Sequence, residues 1–164
     1  MQFSELKKKF IYVLKNKNIR LCIAESITGG LFSSELIKIR GASSYVDYSL
    51  VTYSNKSKEK ILQFKDEIKK YGTVSSQVAK VMVKNVRRFS DSKNLLSISC
   101  TGYASKNEDK NCIVGNVFIG IMYNDIIKVY NQKFKETNRT KIIRLTTENM
   151  MKLSLNFITE HCKE

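Results

Sequence analysis

The chain contains no proline and a single histidine, His161, close to the C-terminal end of its 164 residues. A Ser-His-Asp triad is therefore not expected, and a nucleophile here would need another base. The four cysteines, Cys22, Cys100, Cys112 and Cys162, are scattered, and no two form a C-x-x-C pair. Metal ligation usually needs clustered ligands, so neither a zinc site nor a disulfide framework is expected, and no metal or other cofactor is assigned. The cysteines read as separate reduced thiols, with Cys22 and Cys100 inside apolar strands. Glycine-rich fingerprints are missing too: there is no G-x-x-x-x-G-K-[ST], no G-x-G-x-x-G after a strand and no G-x-S-x-G elbow, which removes the P-loop, dinucleotide and nucleophile-elbow readings. No apolar run approaches the roughly 20 residues of a membrane span. The opening MQFSELKKKF mixes charges at helical spacing, unlike a signal peptide. These absences lead to the expectation of a cytoplasmic protein without membrane contact.

What is abundant is lysine. The formal charge is +14, a value that invites a nucleic-acid reading. The lysines run along the whole chain, however, without an arginine-rich block or a basic patch interleaved with aromatics, so no dedicated nucleic-acid site is expected. Together with the lack of proline and the wealth of Asn and Ile, this pattern looks like a coding bias that places lysine on exposed faces. Such a surface still concentrates an anionic small molecule. The length suits one domain, 1–164, and 42% hydrophobic with 27% charged residues is ordinary for a soluble globular chain.

Hydrophobic periodicity divides the chain into alternating elements. Residues 3–16 carry Leu6, Phe10, Val13 and Leu14 on one helical face, and residues 20–24 form a short apolar strand. Residues 25–30 (ESITGG) lead into a helical pattern at 31–39. A strand is expected at 46–53, a helix at 55–64, and a helix capped by Ser75 and reaching Phe89 with Val78, Val81, Met82, Val86 and Phe89 inward. Strands at 95–100, 114–123 and 126–134 follow, the last two joined by Asn124-Asp125 as a hairpin. Thr137 or Asn138 caps a final helix reaching about residue 158. Alternating strands and helices followed by a hairpin predict a three-layer α/β/α sandwich with a mixed sheet.

Two segments could carry chemistry. Ser26 follows a buried strand and precedes Thr28-Gly29-Gly30 and a helix, which places a hydroxyl beside backbone donors suited to an oxyanion or phosphate. The residues alone equally allow Ser26 to be a helix cap, with the glycines serving the turn. The second segment, Thr52-Tyr53-Ser54-Asn55-Lys56-Ser57-Lys58, crosses from a strand end into a helix. Lys56 and Lys60 share one face, while Lys58 points about 200° away and aligns with Ile61 and Leu62. Of the three it is the lysine most open to desolvation, and burial can bring a lysine pKa toward neutrality. A solvated lysine lying over apolar neighbours is the competing reading.

In order and spacing, Ala24-Glu25-Ser26-Ile27-Thr28-Gly29-Gly30, Gly41-Ala42-Ser43-Ser44-Tyr45, residues 51–58 (VTYSNKSK), Tyr71-Gly72-Thr73-Val74-Ser75, Thr101-Gly102, Val114-Gly115-Asn116-Val117 and Asn138-Arg139 resemble the CinA C-terminal domain family, across nearly the whole chain. The resemblance implies a serine amidohydrolase that deamidates nicotinamide mononucleotide, a small-molecule nucleotide, to nicotinate mononucleotide and ammonia. It implies Ser26 as nucleophile, Lys58 as base and Tyr53 as an aid to proton transfer or to orienting the pair. Thr28, Gly29, Gly30, Thr101 and Gly102 would line the substrate and oxyanion region, and Arg139 and Arg144 would face the site. A homo-oligomer, most often a dimer, is implied as well. A non-enzymatic module that binds a nucleotide phosphate and acts through a partner is the second reading, and a nucleic-acid accessory, suggested by the charge and the family's link to competence, the third. The chain departs from the family after Thr101-Gly102, where Tyr103-Ala104-Ser105-Lys106-Asn107 replaces a glycine-richer stretch. Tyr103 there brings a ring that would either stack on a flat nicotinamide, the favoured expectation, or block its entry.

Overall fold

The short apolar run after the first helix becomes a central strand because its side chains are divided between two hydrophobic layers. Along β1 (Arg20–Glu25), Leu21 and Ile23 are buried in one cluster and Cys22 and Ala24 in another, as the two-residue period of a strand requires. In the computed structural model, which describes residues 2–162, β1 lies between two parallel neighbours, β2 (Val46–Val51) and β3 (Leu95–Gly102). Next to β3, β4 (Asn116–Tyr123) and β5 (Ile126–Lys133) run antiparallel, giving a five-stranded sheet in the order β2-β1-β3-β4-β5. The expected hairpin joins β4 to β5, with Asn124 at φ 51 and Tyr123 paired to Ile126.

Helices α1 (Phe3–Asn16), α2 (Leu31–Ile37) and α6 (Arg139–His161) cover one face, where Leu6, Phe10, Phe32 and Phe157 meet Leu21, Ile23 and Ile98. On the other face, α3 (Asn55–Leu62), α4 (Asp66–Tyr71) and α5 (Ser76–Asn85) bring Leu62, Ile68, Val78 and Met82 against Cys22, Ala24 and Leu95. This is the three-layer α/β/α sandwich with a mixed sheet that the sequence predicts. Small residues let α5 come close: the Ser99 hydroxyl donates to the Ala79 carbonyl at 2.8 Å, and Gly120 stands opposite Ser99 on β4. The chain passes from β1 to β2 through α2 on one face and from β2 to β3 through α3, α4 and α5 on the other. Crossovers that diverge in this way open a crevice at the C-terminal ends of the parallel strands, the usual place for a site in such sheets.

Several boundaries differ from expectation. Thr52 and Tyr53 lie beyond the end of β2, and α4 was not anticipated. Helix α5 stops at Asn85 and tightens into a 3₁₀ turn, Val86–Phe89. The tighter winding breaks the 100° spacing on which an inward Phe89 depended, and Phe89 is exposed, edge-on to the Tyr48 ring. The Ser75 cap is present, accepting from the Val78 amide, and Asn138 rather than Thr137 caps α6. Among the described residues no helix is long and apolar enough to cross a membrane.

A methyl group at Gly120 would sit 2.6 Å from the Ser99 Oγ and 2.8 Å from the Ala79 carbonyl. Gly120→Ala should therefore push α5 from the sheet and cost about 1–3 kcal/mol, read as a lower denaturation midpoint without loss of the cooperative transition.

Candidate active site

Three strand ends build the crevice. Ser26 follows β1, Tyr53 and Asn55 follow β2, and Thr101 and Gly102 end β3. All five line a cavity of about 540 Å³, together with Arg139 of α6 and with Tyr103, Asn107 and Asp109 of the loop after β3. Such a volume suits a small ligand.

Ser26 continues the alternation of Cys22 and Ala24, toward the layer that holds α3. Its partner comes from the first turns of that helix, capped by the Ser54 hydroxyl, which accepts from the Ser57 amide at 3.0 Å. Lys58 is 0% exposed, on the same side as buried Leu62, whereas Lys56 and Lys60 face solvent. The Lys58 Nζ lies 2.9 Å from the Ser26 Oγ, 2.8 Å from the Thr52 carbonyl oxygen and 3.2 Å from that of Tyr53. This arrangement favours a defined protonation geometry. An ammonium would donate to all three oxygens. A neutral amine has two N–H bonds and one lone pair, so the two carbonyls take the hydrogens and leave the lone pair facing the Ser26 hydroxyl.

Burial pulls the Lys58 amine down to about 8, and the nearby Cys100 sulfur acts in the opposite direction. Among the described residues no carboxylate forms a salt bridge with Lys58; its three partners are neutral oxygens. The Cys100 thiol is itself pushed up to about 11, chiefly by burial, so it is not a competing nucleophile at neutral pH.

The turn behind Ser26 is arranged differently from the sequence expectation. Gly29 and Gly30 take left-handed backbone conformations, φ 59 and 97, which glycine adopts without strain. The donors at the start of α2 do not face the cavity, however. Glu25, fully buried, accepts from the Thr28 hydroxyl at 2.6 Å and from the amides of Gly30, Phe32 and Ser33 at 3.0, 3.1 and 2.9 Å. Thr28, Gly29 and Gly30 thus sit behind the serine and outside the cavity lining.

The remaining expected residues divide. Thr101 lines the cavity and donates its hydroxyl to the Thr73 carbonyl, and Gly102 lies where a side chain would collide with Val117 and Ile27. Arg139 spans the rim, donating to the Tyr53 hydroxyl at 2.6 Å and to the Ser105 hydroxyl at 3.1 Å. Tyr53 therefore meets Lys58 through its main-chain carbonyl, while its phenol points to Arg139. Arg144 is not part of the site. Five positions along α6 turn it about 140° from Arg139, and its exposed guanidinium pairs with Glu148 at 3.4 Å. Tyr103 is buried and lines the cavity, and its hydroxyl donates to Asp109, which anchors its own loop. Sequence reasoning missed the roles of Glu25 and of the Thr52 carbonyl. A carboxylate ending an apolar strand was a visible signal for the first; a main-chain carbonyl leaves none.

The CinA C-terminal domain model matches residues 3–158. A protein of Finegoldia magna with a competence-damage inducible designation is 41% identical over 117 residues, 71% of this chain and 27% of its own length. A CinA-like protein of Fusobacterium nucleatum is 38% identical over 131 residues, 79% of this chain and 31% of its own length. The chain thus spans about a third of the length of such curated relatives. The crystal structure of the competence/damage inducible protein CihA from Agrobacterium tumefaciens superposes with a TM-score of 0.86 at 26% identity, covering 94% of this chain and 95% of that one.

The lowered Lys58 pKa has a stability consequence. From about 8, the folded value, up to the ordinary 10.5, the unfolded chain holds a proton that the folded chain has released, so stability rises with pH across this window. Wild type should gain about 3 kcal/mol over Lys58→Met between pH 8 and 10.5. Paired denaturation curves at the two pH values measure the difference, and a constant gap would exclude a depressed lysine.

Proposed function

The chain belongs to the CinA C-terminal domain family, and we propose that it acts as a serine amidohydrolase converting nicotinamide mononucleotide to nicotinate mononucleotide and ammonia. The observation that carries the proposal is the 2.9 Å approach of the buried Lys58 Nζ to the Ser26 Oγ, with two carbonyls fixing the direction of the amine. In this mechanism neutral Lys58 takes the Ser26 proton as Oγ adds to the carboxamide carbon. The resulting ammonium returns the proton to the leaving nitrogen, and ammonia departs from an acyl-serine. Water, losing a proton to Lys58, then adds to the ester; on collapse Lys58 returns that proton to the departing Ser26 Oγ, and the acid released gives up its own proton to solvent as the carboxylate. The reaction needs a nucleophile, a base matched to working pH and a positioned carbonyl, and it needs no histidine.

Arg139 supports a phosphate-bearing substrate. It stands at the cavity rim with its N–H groups on two hydroxyls, and among the described residues it forms no salt bridge with a carboxylate. A bidentate approach by phosphate would exchange those two neutral contacts for charge-assisted ones. Tyr53 holds that guanidinium from one side, which makes its proposed part orientation of Arg139 as well as of Lys58. Thr101 and Gly102 would border the carboxamide. A homodimer and a cytoplasmic location complete the proposal; light scattering tests the first.

Ammonia release from nicotinamide mononucleotide tests the activity. Ser26→Ala should abolish turnover while leaving the fold intact, since it removes one hydroxyl and no core volume. Lys58→Met should lower kcat by on the order of 10³-fold, against little change for Lys56→Met and Lys60→Met. Equal mild losses at all three lysines would point to a general electrostatic effect and sink the Ser-Lys mechanism. Because the base must be neutral, kcat/KM should rise with pH and level off above about 8, the value to which burial brings Lys58.

A further inference from the structure

We infer that Glu25 is the positioning residue of the site: its buried carboxylate sets the place of Ser26, and its main chain sets the carbonyl that aims Lys58. The inference rests on the reading of Ser26 as nucleophile and Lys58 as base. Five donors converge on this one side chain. Its Oε2 accepts from the Thr28 hydroxyl, the Gly30 amide and the Phe32 amide, and its Oε1 accepts from the Ser33 amide and from the Ser49 hydroxyl of β2 at 3.2 Å. The first four fasten both ends of the turn that begins at Ser26, whose own carbonyl accepts from the Gly29 amide at 3.1 Å. The fifth ties the turn to the neighbouring strand. The Glu25 carbonyl accepts from the Thr52 amide at 2.8 Å, and the Thr52 carbonyl is the 2.8 Å acceptor of Lys58. Glu25 is thus bonded to both arms of the pair. It touches neither the cavity nor Lys58, so it acts through geometry alone.

Alternation along β1 explains how adjacent residues take the two tasks. Glu25 has the parity of Leu21 and Ile23 and points into the α2 layer, while Ser26 points into the α3 layer. An amide at position 25 would set an NH₂ group against backbone N–H donors at either oxygen position. The Ser49 hydroxyl at one position, or the Thr28 hydroxyl at the other, could turn to accept from it, but the Ser33 amide, or the Gly30 and Phe32 amides, would be left facing a donor. The turn would lose its anchor while the rim residues Arg139, Tyr53 and Asp109, which belong to other segments, stay in place. Catalysis should then suffer more than binding.

The test compares Glu25→Gln, Thr28→Val and Thr28→Ser with wild type, by thermal unfolding, by kcat and KM on nicotinamide mononucleotide, and by the acylation rate of Ser26 with p-nitrophenyl acetate. Folded Glu25→Gln should lose roughly 100-fold in kcat and in acylation rate, the scale of a misplacement near 1 Å, with KM within about threefold. Thr28→Val should lose roughly tenfold, by the same reasoning on one bond, and Thr28→Ser should recover most of it. If Glu25→Gln does not fold, the Thr28 pair decides alone. Wild-type kcat and acylation in the folded variants, losses confined to thermal stability, or failure of serine to rescue would overturn the positioning role. A wild-type protein that neither turns over the nucleotide nor acylates at Ser26 overturns the nucleophile reading itself, and the positioning role with it.

Discussion

An amine buried without a counter-ion is the constraint around which this protein is organised. Removing a charged lysine from water is costly, and proteins usually offset that with a carboxylate or let the group lose its proton. Lys58 has neutral oxygens around its Nζ, and burial takes it to about 8. Placing a carboxylate there would stabilise the fold but hold the proton on the amine, which would then have no lone pair to turn toward Ser26. The Glu25 carboxylate, one residue from Ser26, is committed elsewhere by five hydrogen bonds.

Two local breaks in regular structure follow from that constraint. β2 ends at Val51, and the next two carbonyls turn to Lys58. Helix α3 begins at once, so that its fourth residue reaches back over the strand ends. A strand prolonged through Tyr53 would commit those residues to extended structure, and a helix started later would carry Lys58 out of reach. The expectation of a strand over 46–53 failed at this point because the residues that prolong β-propensity, Thr52 and Tyr53, are held in place by a tertiary contact that propensity cannot register.

Much of the architecture was nevertheless legible. The parity of β1, the Ser75 cap, the Asn124-Asp125 hairpin and the amphipathic α1 all follow from local pattern, and the Lys56/Lys58/Lys60 distinction follows from helical angle alone. Of the candidate site residues, those named for their side chains at Ser26, Lys58, Thr101 and Arg139 are brought together by the fold. The expectation failed where it rested on backbone donors. A glycine turn before a helix looks the same in sequence whether its amides face a ligand or the protein's own carboxylate, and only the fold shows that Glu25 has taken them. Arg144 failed for the opposite reason: the family resemblance placed it in the site, but helical geometry turns it away.

The loop over residues 103–111 borders the cavity without a hydrogen bond to Ser26 or Lys58. Glycines give a loop freedom; here side-chain hydrogen bonds replace that freedom with a fixed path. Asn107 accepts from the Asp109 amide, Asp109 accepts from the Asn111 amide and from the Tyr103 hydroxyl, and Ser105 accepts from Arg139. Within this network the loop meets α6 at Arg139. Ser26, Lys58, Thr52 and Glu25 belong to β1, β2 and α3 or to the turns that follow those strands, joined by bonds in which the loop takes no part. Substitution in the loop would therefore alter the cavity rim and the hold on Arg139, while the distance between Ser26 and Lys58 is set elsewhere. The rim and the Ser26–Lys58 pair are thus held by separate sets of bonds, so one can be rebuilt with the other in place.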